Sequence, residues 1–277
     1  MKRTATNIVR QLQTAGFAAF WVGGCVRDFL LGREPQDYDI ATDARPEQIE
    51  KLFKRTIAVG RKFGVMVVVE DKRQFQVATF RAEADYKDGR HPEQVTFSNA
   101  QADAQRRDFT VNGIFYDPVA GKLHDWVGGE KDLHAKIVRT IGSPDERFAE
   151  DHLRLLRAVR FAAQLDFEIE PQTFAALKAS APRIRDISAE RVRDELIKLF
   201  SPPHAARGLV LLRDSGLLEP VLPELAATIS CEQSPGFHPE VTVFEHIRLM
   251  LEKLPPPPSL KSSFGAAGAP ESLPRSG

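Results

Sequence analysis

Near the N-terminus, apolar positions recur at helical spacing: Ile8, Leu12 and Ala15 form a short stripe that Gly16 closes. Phe17 to Val22 is a compact apolar and aromatic run of the kind a buried strand makes, and Gly23-Gly24 breaks it. Cys25 to Leu31 predicts a helix with Gly32 as its stop. A second strand is predicted over Asp37-Tyr38-Asp39-Ile40-Ala41. A helix follows over Pro46 to Lys54, with proline first and Ile49, Leu52 and Phe53 on one face. The β-branched and aromatic runs Val65 to Glu70 and Phe75 to Arg81, separated by Asp71-Lys72-Arg73, predict a hairpin. Residues 82–93 are polar and predict a loop; Val95 to Phe97 and Lys122 to Val127 predict short strands.

After about Ile141 the period becomes helical. Ser143-Pro144-Asp145-Glu146 has the pattern of a capping box with proline at the first helical position. Leu153, Leu156, Val159 and Phe161 mark one helical segment, and Val192, Leu196 and Leu199 another. Ser201-Pro202 opens a helix ending near Gly216, and Val241 to Leu254 is a last amphipathic helix stopped by Pro255 to Pro258. The pattern predicts an α/β head over 1–141, with a mixed or antiparallel sheet and helices. An all-α neck and body follows over 142–225, then a short helical segment over 226–254. The Pro/Ser/Gly-rich tail, 255–277, is too poor in apolar residues to order itself.

Composition narrows the partners. A chain of 277 residues suits two domains, and 42% hydrophobic with 27% charged residues is a globular balance. Lys plus Arg and Asp plus Glu are both 38, so no global basic field exists and any nucleic-acid contact must come from a local patch. Two cysteines, Cys25 and Cys231, support neither a disulfide framework nor a cysteine zinc site. No run approaches the roughly 18 apolar residues of a membrane helix, and Met1-Lys2-Arg3 leads into no apolar leader segment. A soluble, cytoplasmic protein is expected.

Asp37 and Asp39 are two apart on a predicted strand, so both carboxylates project from one face. Two such groups repel unless a cation sits between them, and hard oxygen donors suit Mg²⁺. A turn or solvated strand end is the alternative for Asp-x-Asp alone. Upstream, Gly23-Gly24-x-x-Arg27-Asp28 lies between a strand and a helix. There glycine lets a phosphate approach the backbone and Arg27 adds a charged fork; a plain tight turn is the alternative. An anion cradle followed by a metal-binding pair points to nucleotidyl transfer.

Val22-Gly23-Gly24-Cys25-Val26-Arg27-Asp28-Phe29-Leu30-Leu31-Gly32, followed by Asp37-Tyr38-Asp39, resembles the signature of the class II tRNA nucleotidyltransferase (CCA-adding enzyme) and bacterial poly(A) polymerase family. Thr79-Phe80-Arg81 follows in order. Arg106-Arg107-Asp108-Phe109-Thr110-Val111-Asn112 resembles the family's ribose-contacting motif. Asp125-x-x-Gly128-Gly129-x-x-Asp132-Leu133 resembles its head-to-neck hinge, and Glu150-Asp151-x-x-Arg154-x-x-Arg157-x-x-Arg160-Phe161 its base-reading helix. The resemblance spans about residues 17 to 225 and implies a polymerase-β-like nucleotidyltransferase head. It implies in-line attack of an RNA 3′-hydroxyl on the α-phosphorus of ATP or CTP, with Mg²⁺ on Asp37 and Asp39. Gly24 and Arg27, with Gly23, would orient the triphosphate. Arg107 would contact the incoming ribose or phosphate, and Asn112 belongs to the same nucleotide-binding set. Asp108 is either an additional carboxylate or a buttress for the arginines. The implied partners are tRNA or another RNA 3′ end.

Asp151, Arg154 and Arg157 recur every three residues, which places them near one face of a helix. A solvated ion-pair ladder is one reading. A protein template is the other: cytosine and adenine both show an amino donor beside a ring-nitrogen acceptor, matching a carboxylate acceptor and a guanidinium donor. Uracil and guanine show the reverse, and a mismatch leaves buried polar groups unpaired. Because Leu153, Leu156 and Val159 supply the packing face, the template reading is preferred.

Two departures from the family pattern stand out. Gln76 occupies a position before Val77-Ala78-Thr79-Phe80 that often carries a carboxylate, and Cys25 stands where a small residue such as Ala is common. Cys25 has no neighbouring His and reads as a buried structural thiol. His238-Pro239-Glu240 and His246 resemble the opening of a metal-dependent HD phosphohydrolase domain. The His-Asp pair does not follow, so a remnant without that site is expected, and the chain is short for the family's head, neck, body and tail. Val59-Gly60-Arg61-Lys62-Phe63-Gly64-Val65 looks more like the CCA-adding members. Poly(A) addition, CC-only or A-only addition, and a catalytically dead RNA-binding module are the alternatives.

Overall fold

The computed structural model describes residues 1–82, 96–234, 240 and 242–255. The chain opens with α1 (Lys2–Thr14), β1 (Ala19–Val22), α2 (Gly24–Leu30), β2 (Asp39–Thr42) and α3 (Pro46–Leu52). Three strands follow, β3 (Thr56–Gly60), β4 (Val65–Glu70) and β5 (Arg73–Thr79). Next come α4 (Ala100–Gln105), β6 (Phe115–Asp117), β7 (Lys122–His124), α5 (Gly129–Ala135) and β8 (Ile137–Val138). The rest is helical apart from β9 (Glu168–Ile169): α6 (Pro144–Glu150), α7 (Leu153–Leu165), α8 (Pro171–Ser180), α9 (Ala189–Leu199), α10 (Ala205–Asp214), α11 (Leu218–Val221), α12 (Pro223–Ala227) and α13 (Val243–Glu252).

α1 buries Ala5, Ile8, Val9 and Leu12, while Ala15 lies outside the stripe and is exposed. The helix ends as its glycine predicts. Gly16 has φ +90°, its N–H donates to the Gln13 carbonyl, and the Phe17 N–H donates to Leu12. The hairpin turns on Asp71 and Lys72, both at positive φ, so Arg73 already belongs to β5. Ser143 precedes α6 as predicted, with Pro144 at the first helical position, but its side chain makes no capping bond.

The main sheet has the order β3-β4-β5-β2-β1-β6-β7 and is antiparallel except for the β2–β5 pair. Alternation divides its two faces. Trp21, Ile40, Phe75 and Val77 join the large core beneath α1 and α3, whereas Phe20, Val22, Ala41, Phe80 and Phe115 pack on the other side with Ala104 of α4. The second face also carries Asp39 and Gln76, and it looks toward the helical half.

Several elements escaped the periodicity. β3 is an edge strand with Val59 69% exposed, so it shows no buried alternation. β8 and β9 are two residues each, too short to leave a pattern, and pair in parallel, Ile137 with Glu168 and Val138 with Ile169. Val95 lies outside the described residues, and Phe97 makes only an isolated bridge with Arg81. The loop expected over 82–93 also falls almost wholly outside the described residues, as does the tail beyond Pro255. Among the described residues, no helix is long and apolar enough to cross a membrane.

The start of α5 is close-packed at Gly129. A Cβ there would stand 2.1 Å from the Thr110 carbonyl oxygen and 2.6 Å from a side-chain carbon of Ile114. Neither neighbour is a flexible chain end, so Gly129→Ala is expected to destabilise by roughly 1–3 kcal/mol through overpacking. Thermal unfolding should show the midpoint fall, whereas an unchanged midpoint would mean that the α5 start shifts freely.

Candidate active site

A cleft of about 770 Å³ lies between the second sheet face and the helical half. Every residue singled out for chemistry lines it: Gly23, Gly24, Arg27, Asp37, Asp39, Arg107, Asp108, Asn112, Asp151, Arg154, Arg157 and Arg160. Nine cationic side chains but only four carboxylates line it, so a chain of zero net charge concentrates a basic patch where a polyanion would sit.

β1 ends at Val22, which pairs with Asp39 at the start of β2. Asp37 precedes the strand instead of lying on it, since the pairing begins at Asp39; it is exposed where Asp39 is half-buried. Both nonetheless reach the cleft. The parallel register pairs Ile40 with Val77, so one step earlier Gln76 lies beside Asp39. Burial and the neighbouring Asp37 charge push Asp39 up to about 6, with Arg107 pulling the other way. Among the described residues, no cluster of three or more His, Cys, Asp or Glu is placed to hold a metal.

Gly23 caps α2 at φ 74°, ψ −137°, a conformation open to glycine, and a Cβ there would approach a terminal nitrogen of Arg107 to 3.2 Å. Arg107 itself is held by Asp103 at 3.0 Å and lies over the Phe115 ring. Asp103 is buried. Burial alone would raise its pKa, but Arg107 and Arg106 hold it below the usual carboxylate range. Cys25 is buried and bonded to the Val22 carbonyl; burial pushes its thiol up to about 12, which makes it inert at neutral pH.

A chain of hydrogen bonds crosses the cleft floor. Arg27 donates to Asn112 at 2.7 Å, Asn112 donates to Asp108 at 3.1 Å, and Arg157 of α7 grips Asp108 with two nitrogens at 2.9 and 2.5 Å. Asp108 also accepts from the Phe109 N–H at 2.8 Å. Burial opposes ionisation of Asp108, yet the Arg157 charge and these donors together lower its pKa to about 2. Of the two roles open to Asp108 in the sequence, this geometry supports the buttress.

Asp151 is not on the helix with Arg154 and Arg157. It sits in the extended break between α6 and α7, at φ −150°, ψ 104°. Its oxygens accept from the Leu153 N–H at 3.0 Å and from Arg191 at 2.7 Å. Arg154 donates to the Arg147 carbonyl at 2.9 Å and pairs with Glu150; Arg160 pairs with Glu195 at 2.5 Å. The sequence reading missed Asp103, Arg191, Glu195 and Lys198. The last three recur at i, i+4 and i+7 on α9, a spacing that in sequence is indistinguishable from a solvated ion-pair ladder. Of the histidines near the C-terminus, His238 lies outside the described residues, and His246 contacts Glu240.

Asp108 generates a pH prediction. Its folded pKa lies below the unfolded value, so its stabilisation is present above about pH 4 and is lost as the pH falls toward 2. The loss is on the order of 2 kcal/mol. Asp108→Asn should be less stable at pH 7 and should flatten the stability profile between about pH 4 and 2, as followed by circular dichroism. A profile as steep as the native one would place the acid sensitivity elsewhere.

Comparison with known proteins gives concordant matches. A profile described as the poly A polymerase head domain matches residues 19–139, and one described as the probable RNA and SrmB-binding site of polymerase A matches residues 166–229. The CCA-adding enzyme of Geobacillus kaustophilus is 45% identical over 231 residues, which is 83% of this chain and 57% of that protein. The CCA-adding enzyme of Staphylococcus aureus MRSA252 is 46% identical over 197 residues, 71% of this chain and 49% of that protein. The crystal structure of the Bacillus stearothermophilus CCA-adding enzyme in complex with CTP superposes with a TM-score of 0.71 at 43% identity, covering 77% of this chain and 52% of that one. This chain thus spans about half the length of these relatives. With motif order, sheet and cleft in agreement, the chain belongs to the class II tRNA nucleotidyltransferase and bacterial poly(A) polymerase family.

Proposed function

We propose that the protein is a template-independent RNA nucleotidyltransferase that adds C and A to the 3′ end of tRNA, using CTP and ATP and releasing pyrophosphate. The observation that carries this reading is the meeting of two chemistries in one cleft. The acidic pair comes from the start of β2, Asp39 on the strand and Asp37 just before it, and the acceptor–donor pair Asp151 and Arg154 comes from the helical half. The similarity to CCA-adding enzymes at 45% and 46% identity favours C and A addition over poly(A) synthesis. The reading divides the work between a head at 1–141 and a base-reading helical part at 142–225, and it sets that work in the cytoplasm.

The donor set fits a divalent cation. Two hard carboxylates face one cleft, and burial together with the Asp37 charge pushes Asp39 upward in pKa, which a bound cation would relieve. Asp37 and Asp39 would hold Mg²⁺, with the neutral Gln76 amide beside them. When bound, the metal favours the alkoxide of the attacking hydroxyl and offsets charge on the leaving oxygens. The remaining steps belong to the protein. Gly23 leaves room for a phosphate, and Arg27, Arg107, Arg157 and Arg160 present guanidinium donors to the triphosphate and ribose. The RNA 3′-oxygen bonds to the α-phosphorus as the bond to the pyrophosphate oxygen breaks, and the hydroxyl proton leaves to solvent. Asp151 keeps lone pairs for a base amino group while bound to Leu153 and Arg191, and Arg154 keeps donors for the ring nitrogen.

Extension of a tRNA transcript ending at the discriminator base tests the reading. CTP and ATP together should yield CCA, whereas a run of A from ATP alone would mark a poly(A) polymerase and no extension would mark a binding module. Asp39→Asn should reduce addition to below about 3% of the native rate while RNA binding holds; turnover above that level would remove Asp39 from the metal site.

Asp151→Ala should lower CTP and ATP use together by roughly ten- to a hundred-fold, because a hydrogen bond to a charged partner is lost. UTP and GTP incorporation should rise relative to both. A variant that still excludes UTP and GTP at native ratios would leave Asp151 as a structural carboxylate.

A further inference from the structure

Phe161 stands at the back of the cleft, buried, with its ring edge-on to Phe109 at 5.8 Å. Three guanidinium groups lie over this single ring. Arg160 is 3.9 Å from its centroid, Arg157 5.2 Å and Arg27 5.3 Å. Arg157 and Arg160 belong to α7, as Phe161 does, but Arg27 arrives from α2 in the sheet-bearing half. The ring is therefore the common surface on which cations from both halves converge.

Each of these arginines also has a carboxylate partner: Asp28 for Arg27, Asp108 for Arg157 and Glu195 for Arg160. Charge is thus already balanced, and the ring contributes something different. A carboxylate holds a guanidinium by consuming its N–H donors. An aromatic face holds it through the ring quadrupole and leaves the donors at the rim free. Phosphate recognition needs those donors in a fixed fork. Burial strengthens such contacts, because water competes less for the cation.

We infer that Phe161 is a positioning residue of the nucleotide site: its ring sets the places of Arg27, Arg157 and Arg160 so that their free donors converge on the triphosphate. The inference rests on reading the cleft as a nucleoside triphosphate site. It separates Phe161 from the base-reading pair, since the ring acts on phosphate affinity and not on base choice.

The test is binding of cytidine, CDP and CTP to the full chain by calorimetry, with kcat and KM for CTP on a tRNA primer alongside. Phe161→Leu keeps an apolar side chain and removes the quadrupole; Phe161→Tyr keeps both. Phe161→Leu should lower the CTP-over-cytidine affinity ratio by about tenfold, with KM rising more than kcat falls, and Phe161→Tyr should stay within about threefold of native. Cytidine affinity and the exclusion of UTP should not move. If Phe161→Leu does not fold, replacement of Phe161 by pentafluorophenylalanine, which keeps the ring but reverses its quadrupole, should give the same loss. Either ring-altered variant keeping the native ratio in a folded protein would overturn the role of Phe161 alone. A native protein that binds CTP no better than cytidine would overturn the triphosphate reading, and this inference with it.

Discussion

The buried carboxylate of Asp108 is the point on which both halves of the molecule depend. It belongs to the segment after α4, yet its strongest partner, Arg157, lies on α7. Removing a carboxylate from water is costly, and the cost is offset only when its lone pairs are filled. Here they are filled by Arg157, Asn112 and the Phe109 N–H. Because Asn112 in turn receives Arg27, a displacement of α7 would disturb that arginine of α2 as well. The pair fixes the position of one half against the other.

The same logic extends into the helical half. Glu195 is buried and would be expensive alone, but Arg160 and Arg157 surround it and Lys198 lies at 3.4 Å. Asp103 does the same for Arg106 and Arg107 under the sheet. Cations that would repel one another in an empty cleft are held by acids set behind them. Their outward donors face the space where a polyanion fits. Asp37 and Asp39 differ from this pattern: no salt bridge reaches either among the described residues, and burial together with the Asp37 charge raises the pKa of Asp39 against the pull of Arg107. That contrast separates the part of the cleft suited to a metal from the part suited to phosphate.

Much of this was legible in the residues. The glycine stops, the hairpin, the alternation of the central strands and the change to helical period after Ile141 are local properties of the chain, set by backbone freedom and by the 2.0 and 3.6 periods. The motifs named every residue of the proposed chemistry, because side chains that bind metal and phosphate are chemically distinctive and fall at short spacings. What the sequence could not settle was partnership. Nothing local says whether Asp108 acts as an additional carboxylate or as a buttress; that depends on Arg157, 49 positions away.

Asp151 shows the limit most clearly. A three-residue spacing places it on a helix with Arg154, but the chain breaks at Asp151 and binds its carboxylate to Arg191 of α9 instead. Edge strand β3 and the paired dipeptides β8 and β9 left no pattern, because their stability comes from neighbours distant in sequence. The sequence by itself determined most of the elements with a regular period, where glycine bends them, and which side chains are candidates for the chemistry. The tertiary structure alone decided which of those side chains are paired, buried and held still. Burial and charge pairing are properties of space, and residues far apart along the chain supply them.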